Sequence, residues 1–314
     1  MFALRGVVIA LSAFVMAYCA LSFALVLTWE KLSPGQRFSA SGRSNGLFAL
    51  RMLPFLAAVL WTLVLIVPSF LIFEPRSIEE KIGSVPLALS LVGLALLIFG
   101  VGRGIWALHR ASSIVAEWTR GAETFECGSA VTVLQTSAAA PAMIAAGIVH
   151  PRILLSDTAL SVLSPNELQA ALNHELAHVL RRDNLRKLLL RLIAFPGLNG
   201  LESAWRDAAE ISADETAVSN PREALDLAAA LIKLSRFSPL ASPAELTAAL
   251  VHSPASLVDA RVQRLIAWQE KSGAPRKRSM RTAILAGAVM LVIFLLSYGS
   301  LLLRVHAVTE WLVR

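Results

Sequence analysis

The chain has 314 residues, of which 56% are hydrophobic and only 16% are charged. This composition argues against an ordinary soluble globular protein and is typical of a protein that crosses a membrane. The net charge of +7 fits basic cytoplasmic loops. The sequence has no basic patch with interleaved aromatic residues, which argues against direct nucleic-acid binding.

Four apolar segments, at residues 6–29, 52–73, 85–108 and 283–303, are long enough to cross a bilayer, which takes about 20 helical residues. The first has a longer apolar core than a signal peptide and no convincing cleavage site, so we interpret it as a retained anchor. Cys19 and Cys127 lie in different parts of the chain and indicate no disulfide framework.

The charges between these segments predict the orientation of the chain in the membrane. Basic residues are concentrated after the first and third segments and before the fourth, and the positive-inside rule places such loops in the cytoplasm. We therefore predict a mostly α membrane protein with three transmembrane helices over 1–110, a cytoplasmic domain over 111–278, and a fourth transmembrane helix with a short external tail over 279–314. Both termini are expected outside the cytoplasm.

The polar segment before the fourth span is expected to contain short strands followed by helices. Residues 130–135, 143–149 and 152–155 are β-favouring runs separated by glycine and proline. Helices are predicted to begin near residues 165, 221 and 243, where a capping residue precedes a proline and a glutamate. A further helix is expected over about 201–218.

The predicted helix that begins at Pro165 contains the sequence His174-Glu175-Leu176-Ala177-His178. Residues four apart share one face of a helix, so both imidazoles can bind one zinc ion, with Glu175 placed to reach a water on the metal. The uncharged flanking residues favour a packed site. The alternative is a structural helix with two histidines and no metal.

A catalytic zinc site usually has three protein ligands and one open position. Glu210 and Asp214 lie four residues apart on the next long predicted helix. We expect Glu210 to be the third metal ligand and Asp214 to accept the free ring N–H of a ligand histidine. The alternative is an acidic, solvated helix face.

A zinc ion in this site would activate a water for attack on a peptide carbonyl, with Glu175 as the general base. The tetrahedral intermediate also needs a hydrogen-bond donor for its oxyanion. The two tyrosines, Tyr18 and Tyr298, lie in apolar segments, so His252 is the candidate. The alternative is that His252 is an ordinary surface or core histidine.

The combination of these features resembles the BlaR/MecR-type antirepressor metallopeptidases, which belong to the gluzincins. Three predicted spans precede the peptidase segment, and a fourth follows it. The other shared motifs are Pro151-Arg152-Ile153-Leu154-Leu155, the His-Glu-x-x-His sequence, Arg182-Asp183, and Glu210 with Asp214 four residues later.

The resemblance implies an α+β gluzincin-type domain inserted between the third and fourth spans, in the inner membrane of a bacterium and facing the cytoplasm. It implies Zn²⁺ as cofactor and a cytoplasmic transcriptional repressor as substrate. It also implies an edge strand that binds substrate by strand addition, formed by Met143, Ile144, Ala145, Ala146 and Gly147. Asp183 would brace the active-site helix, or simply be a charge at a helix end.

Antibiotic-sensing members of this group carry an extracellular penicillin-binding domain after the fourth span, whereas this sequence ends at Arg314. We therefore expect a signal from another source. The candidates are a separate sensor protein, the lipid bilayer, and the loop that follows Glu74.

The sequence is also compatible with two other functions. The segment Val251-His252-Ser253-Pro254 with Arg261 resembles, imperfectly, an element of the HtpX or CAAX-type membrane peptidases, which act in quality control or processing. A non-catalytic membrane signal transducer is the second alternative. The intact Glu175 argues against it, because a scaffold does not need a general base.

Overall fold

A computed structural model describes residues 2–32, 39–75, 82–137, 141–193, 195–236, 248–249, 255–268 and 280–313. The contacts divide the chain into two units. The first contains Met1–Trp29, Met52–Phe99 and Lys271–Arg314, and the second contains Glu30–Arg51 and Gly100–Glu270. These units are defined by contacts between residues and not by position relative to a membrane. They therefore do not test the predicted domain boundaries at residues 110 and 278, which stay predictions.

The first unit is built mainly from long apolar helices, some of which continue into the second unit. They are α1 (Phe2–Leu32), α2 (Ala40–Trp61), α3 (Val67–Phe73), α4 (Ser84–Trp118) and, at the end of the chain, α11 (Met280–Val313). A π-helical turn, Thr62–Ile66, joins α2 to α3. Among the described residues, four stretches are long and apolar enough to span a membrane: Phe2–Leu32, Ala40–Phe73, Ser84–Trp118 and Val292–Glu310. Each overlaps a predicted span, although the fourth lies several residues further along the chain than the predicted 283–303.

The π-helical turn lies just before Pro68, which has no N–H to donate within the helix. An unpaired carbonyl is costly in a membrane and needs another donor. The hydroxyl of Tyr298 donates to the carbonyl of Val64 at 2.7 Å. One turn further along, Ser69 Oγ donates to the Leu302 carbonyl at 3.0 Å. These two bonds fix the register of α3 against α11.

The second unit contains a small mixed sheet. Its strands are β1 (Glu123–Thr124), β2 (Val133–Thr136), β3 (Met143–Ala146), β4 (Arg152–Ser156) and β5 (Ala248–Ala249), in the order β1-β2-β4-β3-β5. β2 and β4 are parallel, and the other pairs are antiparallel. The three runs predicted as strands therefore form the centre of the sheet.

The expectation of an edge strand at Met143–Ala146 is wrong in one respect. β5 pairs with β3 through Ile144 and Ala145, so β3 lies inside the sheet. The partner comes from about a hundred residues further along the chain and is only two residues long, which left no detectable pattern in the sequence. Gly147 follows β3 with a φ of +91° and ends the strand.

The helices of the second unit follow the strands. They are α5 (Asp157–Val162), α6 (Pro165–Leu180), α7 (Asp183–Leu192), α8 (Asn199–Ala217), α9 (Pro221–Ser235) and α10 (Ala255–Ile266). The predicted starts at 165 and 221 are confirmed. Ser164 forms a capping box with Glu167, and the side chain of Asn220 accepts from the N–H of Glu223. The predicted helix over 201–218 is α8, and the predicted start at 243 lies outside the described residues.

The core of the second unit lies between the sheet and helices α6, α9 and α10. Apolar side chains from all four fill it, including Met143, Ile153, Leu172, Leu227, Leu231 and Leu265. Most of the surface of α6 is therefore packed against other elements. This packing holds the helix in a fixed rotation, so the side chains that face α8 have a fixed position.

The C-terminal end of α7 contacts α4 at two glycines, Gly100 and Gly104. A Cβ added at Gly100 would lie only 2.2 Å from the carbonyl oxygen of Leu192, and one at Gly104 would lie 2.4 Å from the Leu192 side chain. The carbonyl of the next residue, Ile193, accepts a hydrogen bond from Arg51, which also pairs with Glu202. The end of α7 is thus held by backbone contacts.

Alanine substitution at Gly100 is expected to destabilise the fold by about 1–3 kcal/mol, because overpacking against backbone cannot relax by a side-chain rotation. Gly102 is the matched control. A Cβ there meets nothing within 4 Å, and G102A should be neutral or stabilising by about 0.5–1 kcal/mol. Thermal unfolding of both variants in detergent checks this. Equal melting temperatures for G100A and G102A would contradict the close contact.

Candidate metal centre

Helix α6 places the two histidines of the motif side by side. Its start is fixed by the capping box and its face is packed into the core, so His174 and His178 point toward α8. Their Nε2 atoms are 3.1 Å apart, and their relative exposures are 0% and 3%. Residues four apart on a helix are expected to meet in this way.

Helix α8 brings Glu210 to the same point. Its Oε2 lies 3.6 Å from His174 Nε2 and its Oε1 lies 3.6 Å from His178 Nε2. The three side chains are a group whose ligand atoms all lie within 4.8 Å of one another. The structure therefore brings together the three residues that the sequence predicts as metal ligands.

The outer nitrogen of each histidine faces an aspartate. Asp214 Oδ1 lies 2.9 Å from His174 Nδ1, and Asp183 Oδ2 is hydrogen-bonded to His178 Nδ1 at 2.7 Å. Asp183 can reach because Arg182 adopts a left-handed conformation, with φ of 54°, and α7 begins directly after it. Carboxylates in these positions would leave both Nε2 atoms available to a metal.

Glu175 lies on the neighbouring face of α6 and is fully buried. Its Oε2 accepts the backbone N–H of Ala145 at 2.7 Å. Its Oε1 is buried with no hydrogen-bond partner among the described residues. The Ala145 carbonyl accepts from Asn184 Nδ2 at 3.0 Å, so α6 and α7 both bind the backbone of β3 at one residue.

Burial and charge shift the pKa values in the cluster in different directions. Burial lowers the pKa of His178, but the charge of Glu210 and the hydrogen bond to Asp183 outweigh it and raise this pKa to about 10. Burial raises the pKa of Glu175, opposed in part by the charges of His178 and His174. Because a ligand histidine must be neutral, metal binding here would release protons. A raised pKa suits Glu175 to proton transfer.

Arg261 also belongs to the cluster, although in the sequence it stands out only in the element that resembles the HtpX or CAAX-type peptidases and not as a residue of the metal site. It comes from α10 and is 1% exposed. Its Nε and Nη2 donate to the two oxygens of Asp214 at 2.8 and 2.7 Å, and its Nη1 lies 3.0 Å from Glu210 Oε2. Burial raises the pKa of Asp214, but the charge of Arg261 outweighs it and lowers this pKa to about 2.

The donor set fits a zinc ion. Two imidazoles and one carboxylate are a common catalytic zinc set. Zinc bonds of about 2.0–2.1 Å place tetrahedral ligands roughly 3.4 Å apart. The two Nε2 atoms lie 3.1 Å apart, and each lies 3.6 Å from one of the two Glu210 oxygens. The orphaned Oε1 of Glu175 is the kind of buried acceptor that a water on the metal would satisfy.

Replacing Asp183 by asparagine should weaken metal binding about 10- to 100-fold, because His178 loses the charged acceptor that orients its ring. Competition with a chromogenic zinc chelator measures this affinity. The exposed Asp259 on α10 is the control, and D259N should leave the affinity unchanged. An unaltered metal affinity in D183N would show that Asp183 does not orient His178 and is only a charge at the end of a helix.

His252, the predicted oxyanion donor, lies outside the described residues. The structure offers another cation near the cluster. Burial lowers the pKa of Lys187 on α7, and the negative charges of Glu210 and Asp183 act in the opposite direction. Lys187 lies four residues after Asp183, and this spacing is the one signal in the sequence that could have placed it on the same helical face.

Buried metal donors beside a buried carboxylate, in a chain with four helices able to span a membrane, define a membrane-associated metallopeptidase. Residues 87–265, more than half of the chain, match the family model described as BlaR1 peptidase M56. The chain therefore belongs to this family, as its resemblance to the BlaR/MecR-type peptidases predicted. No curated protein matches the chain.

Proposed function

We propose that this metallopeptidase is a zinc endopeptidase of the bacterial inner membrane that cleaves a cytoplasmic signalling protein such as a transcriptional repressor. The observation that supports it most is the convergence of His174, His178 and Glu210 beside the buried carboxylate of Glu175. A purely structural site would not need three metal donors and, beside them, a buried carboxylate with one oxygen that has no hydrogen-bond partner among the described residues.

A zinc ion held by these three residues would lower the pKa of a bound water and polarise the scissile carbonyl. Glu175 would accept a proton at its Oε1, which has no hydrogen-bond partner among the described residues, while the N–H of Ala145 holds its Oε2. The same carboxyl can then give the proton to the leaving amine. Asp214 and Asp183 keep the two histidines in the ring orientation that points Nε2 inward.

The substrate chain is proposed to enter through a cavity beside His178. This cavity has a volume of about 370 Å³ and is lined by Gly147, Ile148, Val179, Asn184 and Leu185, among others. Its size is in the range of peptide and small-molecule sites. The lining includes the loop after β3, so the substrate backbone would lie next to the strand that holds Glu175.

The substrate can be identified in cells that produce either the active protein or the Glu175→Gln variant. Fragments that are present only with the active protein are its products. One soluble DNA-binding protein among them would support regulated proteolysis. Many truncated membrane proteins would instead support the HtpX-type quality-control function. Identical fragments in both cultures, with signalling preserved, would support the non-catalytic transducer.

A further inference from the structure

A second cluster of potential metal ligands lies at one end of the helices of the first unit. It consists of Glu74, His306 and Glu310, whose ligand atoms all lie within 4.8 Å of one another. Glu74 ends α3, and the other two residues are four apart on α11, so their side chains share one helical face. By the predicted orientation, this end of the helices faces away from the cytoplasm.

The cluster is held in place by the contacts between α3 and α11 described above. Tyr298 binds Val64, and Ser69 binds Leu302 one turn later. One further turn brings the ring of Phe73 to 5.6 Å from the ring of His306. Glu74 follows directly, so the histidine and this carboxylate are positioned by the same ladder of contacts.

Burial and charge at this end are unusual for a structural helix end. Glu74 is 8% exposed and forms an ion pair of 2.7 Å with Arg5, which is 7% exposed. The Nδ1 atom of His306 is buried with no hydrogen-bond partner among the described residues. Its Nε2 lies 4.0 Å from Glu310 Oε1. Ionisable groups inside membrane helices are costly and commonly mark a functional site.

The charges favour a bound cation. Two carboxylates and an imidazole are gathered at one point, and Arg5 pairs with one of these carboxylates. In surroundings of low dielectric constant, carboxylates held this close together attract a cation. A carboxylate has two oxygens, so Glu74 can keep its ion pair with Arg5 and still present an oxygen to a metal. In the same way, ligating carboxylates are usually hydrogen-bonded by a neighbouring donor.

We propose that Glu74, His306 and Glu310 form a second metal site, which binds a divalent transition-metal ion such as Zn²⁺. The imidazole ligand favours such an ion over Mg²⁺ and Ca²⁺, which prefer oxygen ligands. Zinc bonds to these atoms are about 2.0–2.2 Å long, so binding would draw the three ligand atoms together by roughly 1 Å. Glu310, with a side chain 30% exposed, has the freedom to make most of that movement.

The test counts zinc ions in the full-length protein. All variants are made in the Glu175→Gln background to prevent self-cleavage, purified in detergent, stripped with a chelator, reloaded with Zn²⁺ and analysed by mass spectrometry of the metal. His306→Gln and Glu310→Gln should each bind about one zinc ion per chain less than the parent. His109→Gln, at an exposed histidine of α4 that is paired with Ser113, should bind as much as the parent.

Because only differences are compared, the result does not depend on whether the first centre holds zinc. Equal zinc content in all four proteins would overturn the proposal and leave the cluster as an ion-pair network between helix ends. Should His306→Gln fail to fold, the more exposed Glu310→Gln decides the matter. Loss of the extra ion from the parent in millimolar Mg²⁺ would overturn the assignment to a transition metal.

Discussion

Replacing Glu175 by glutamine is expected to reduce peptide hydrolysis by about 10²- to 10⁴-fold, which is the usual contribution of a general base. Glutamine has the same shape as glutamate, and its side-chain oxygen can still accept the N–H of Ala145, the bond now made by Glu175 at 2.7 Å. The fold and the zinc content should therefore be unchanged. The loss of activity is expected because the second oxygen of Glu175 is replaced by an NH₂ group, which cannot remove a proton from water.

The measurement is the rate of cleavage of a fluorogenic peptide library by the protein in detergent, together with its zinc content. Glu215→Gln is the matched control. Glu215 lies on α8 and pairs with the exposed Arg264, outside the metal cluster. Comparable rates in E175Q and the parent would remove Glu175 from the mechanism. Loss of zinc in E175Q would mean that the carboxylate contributes to metal binding.

The second large effect is expected at Arg261, where substitution by methionine should destabilise the fold by about 3–5 kcal/mol. Breaking a buried ion pair leaves its partner charge buried without compensation. Here two carboxylates are affected, because Arg261 binds both oxygens of Asp214 and also pairs with Glu210. Methionine fills most of the volume, so the loss reports on charge rather than on a cavity.

Arg264 provides the comparison within the same helix. Its side chain is 55% exposed and it pairs with Glu215 at 2.6 Å, and surface pairs of this kind contribute about 0–1 kcal/mol. Chemical unfolding of R261M and R264M should thus give clearly different midpoints. Arg261→Lys should restore only part of the stability, because an ammonium cannot reproduce the planar, two-point contact with Asp214. Similar midpoints for R261M and R264M would refute the role assigned to Arg261.

The parts of the structure that were predictable from the sequence depend on short-range rules. Span length follows from apolar runs, and the starts of α6 and α9 follow from Ser164 and Asn220 as capping residues before proline. His174 and His178 had to meet, because four residues are about one helical turn. Glu210 and Asp214 could be paired with them for the same reason once a returning helix was assumed.

The parts that were missed depend on contacts between residues far apart in the chain. Arg261 comes from a helix about 80 residues beyond the histidines. Its place in an imperfect HtpX or CAAX-type element did not connect it with the metal ligands, because no local pattern distinguishes a buried arginine from a solvated one. The pairing of β5 with β3 uses two alanines, which favour neither strand nor partner. Asn184 donates to the Ala145 carbonyl, but it belongs to no motif that singles it out in the sequence.

Helix α7 is anchored at both ends to groups of very different function. Its first turn holds His178 through Asp183, and its last carbonyls rest on Gly100 and on Arg51. Ten residues of helix form a stiff rod about 15 Å long. Because one short helix joins the two ends, we expect a substitution that displaces the Gly100 end, such as G100A, to shift Asp183 as well and to weaken zinc binding at His178.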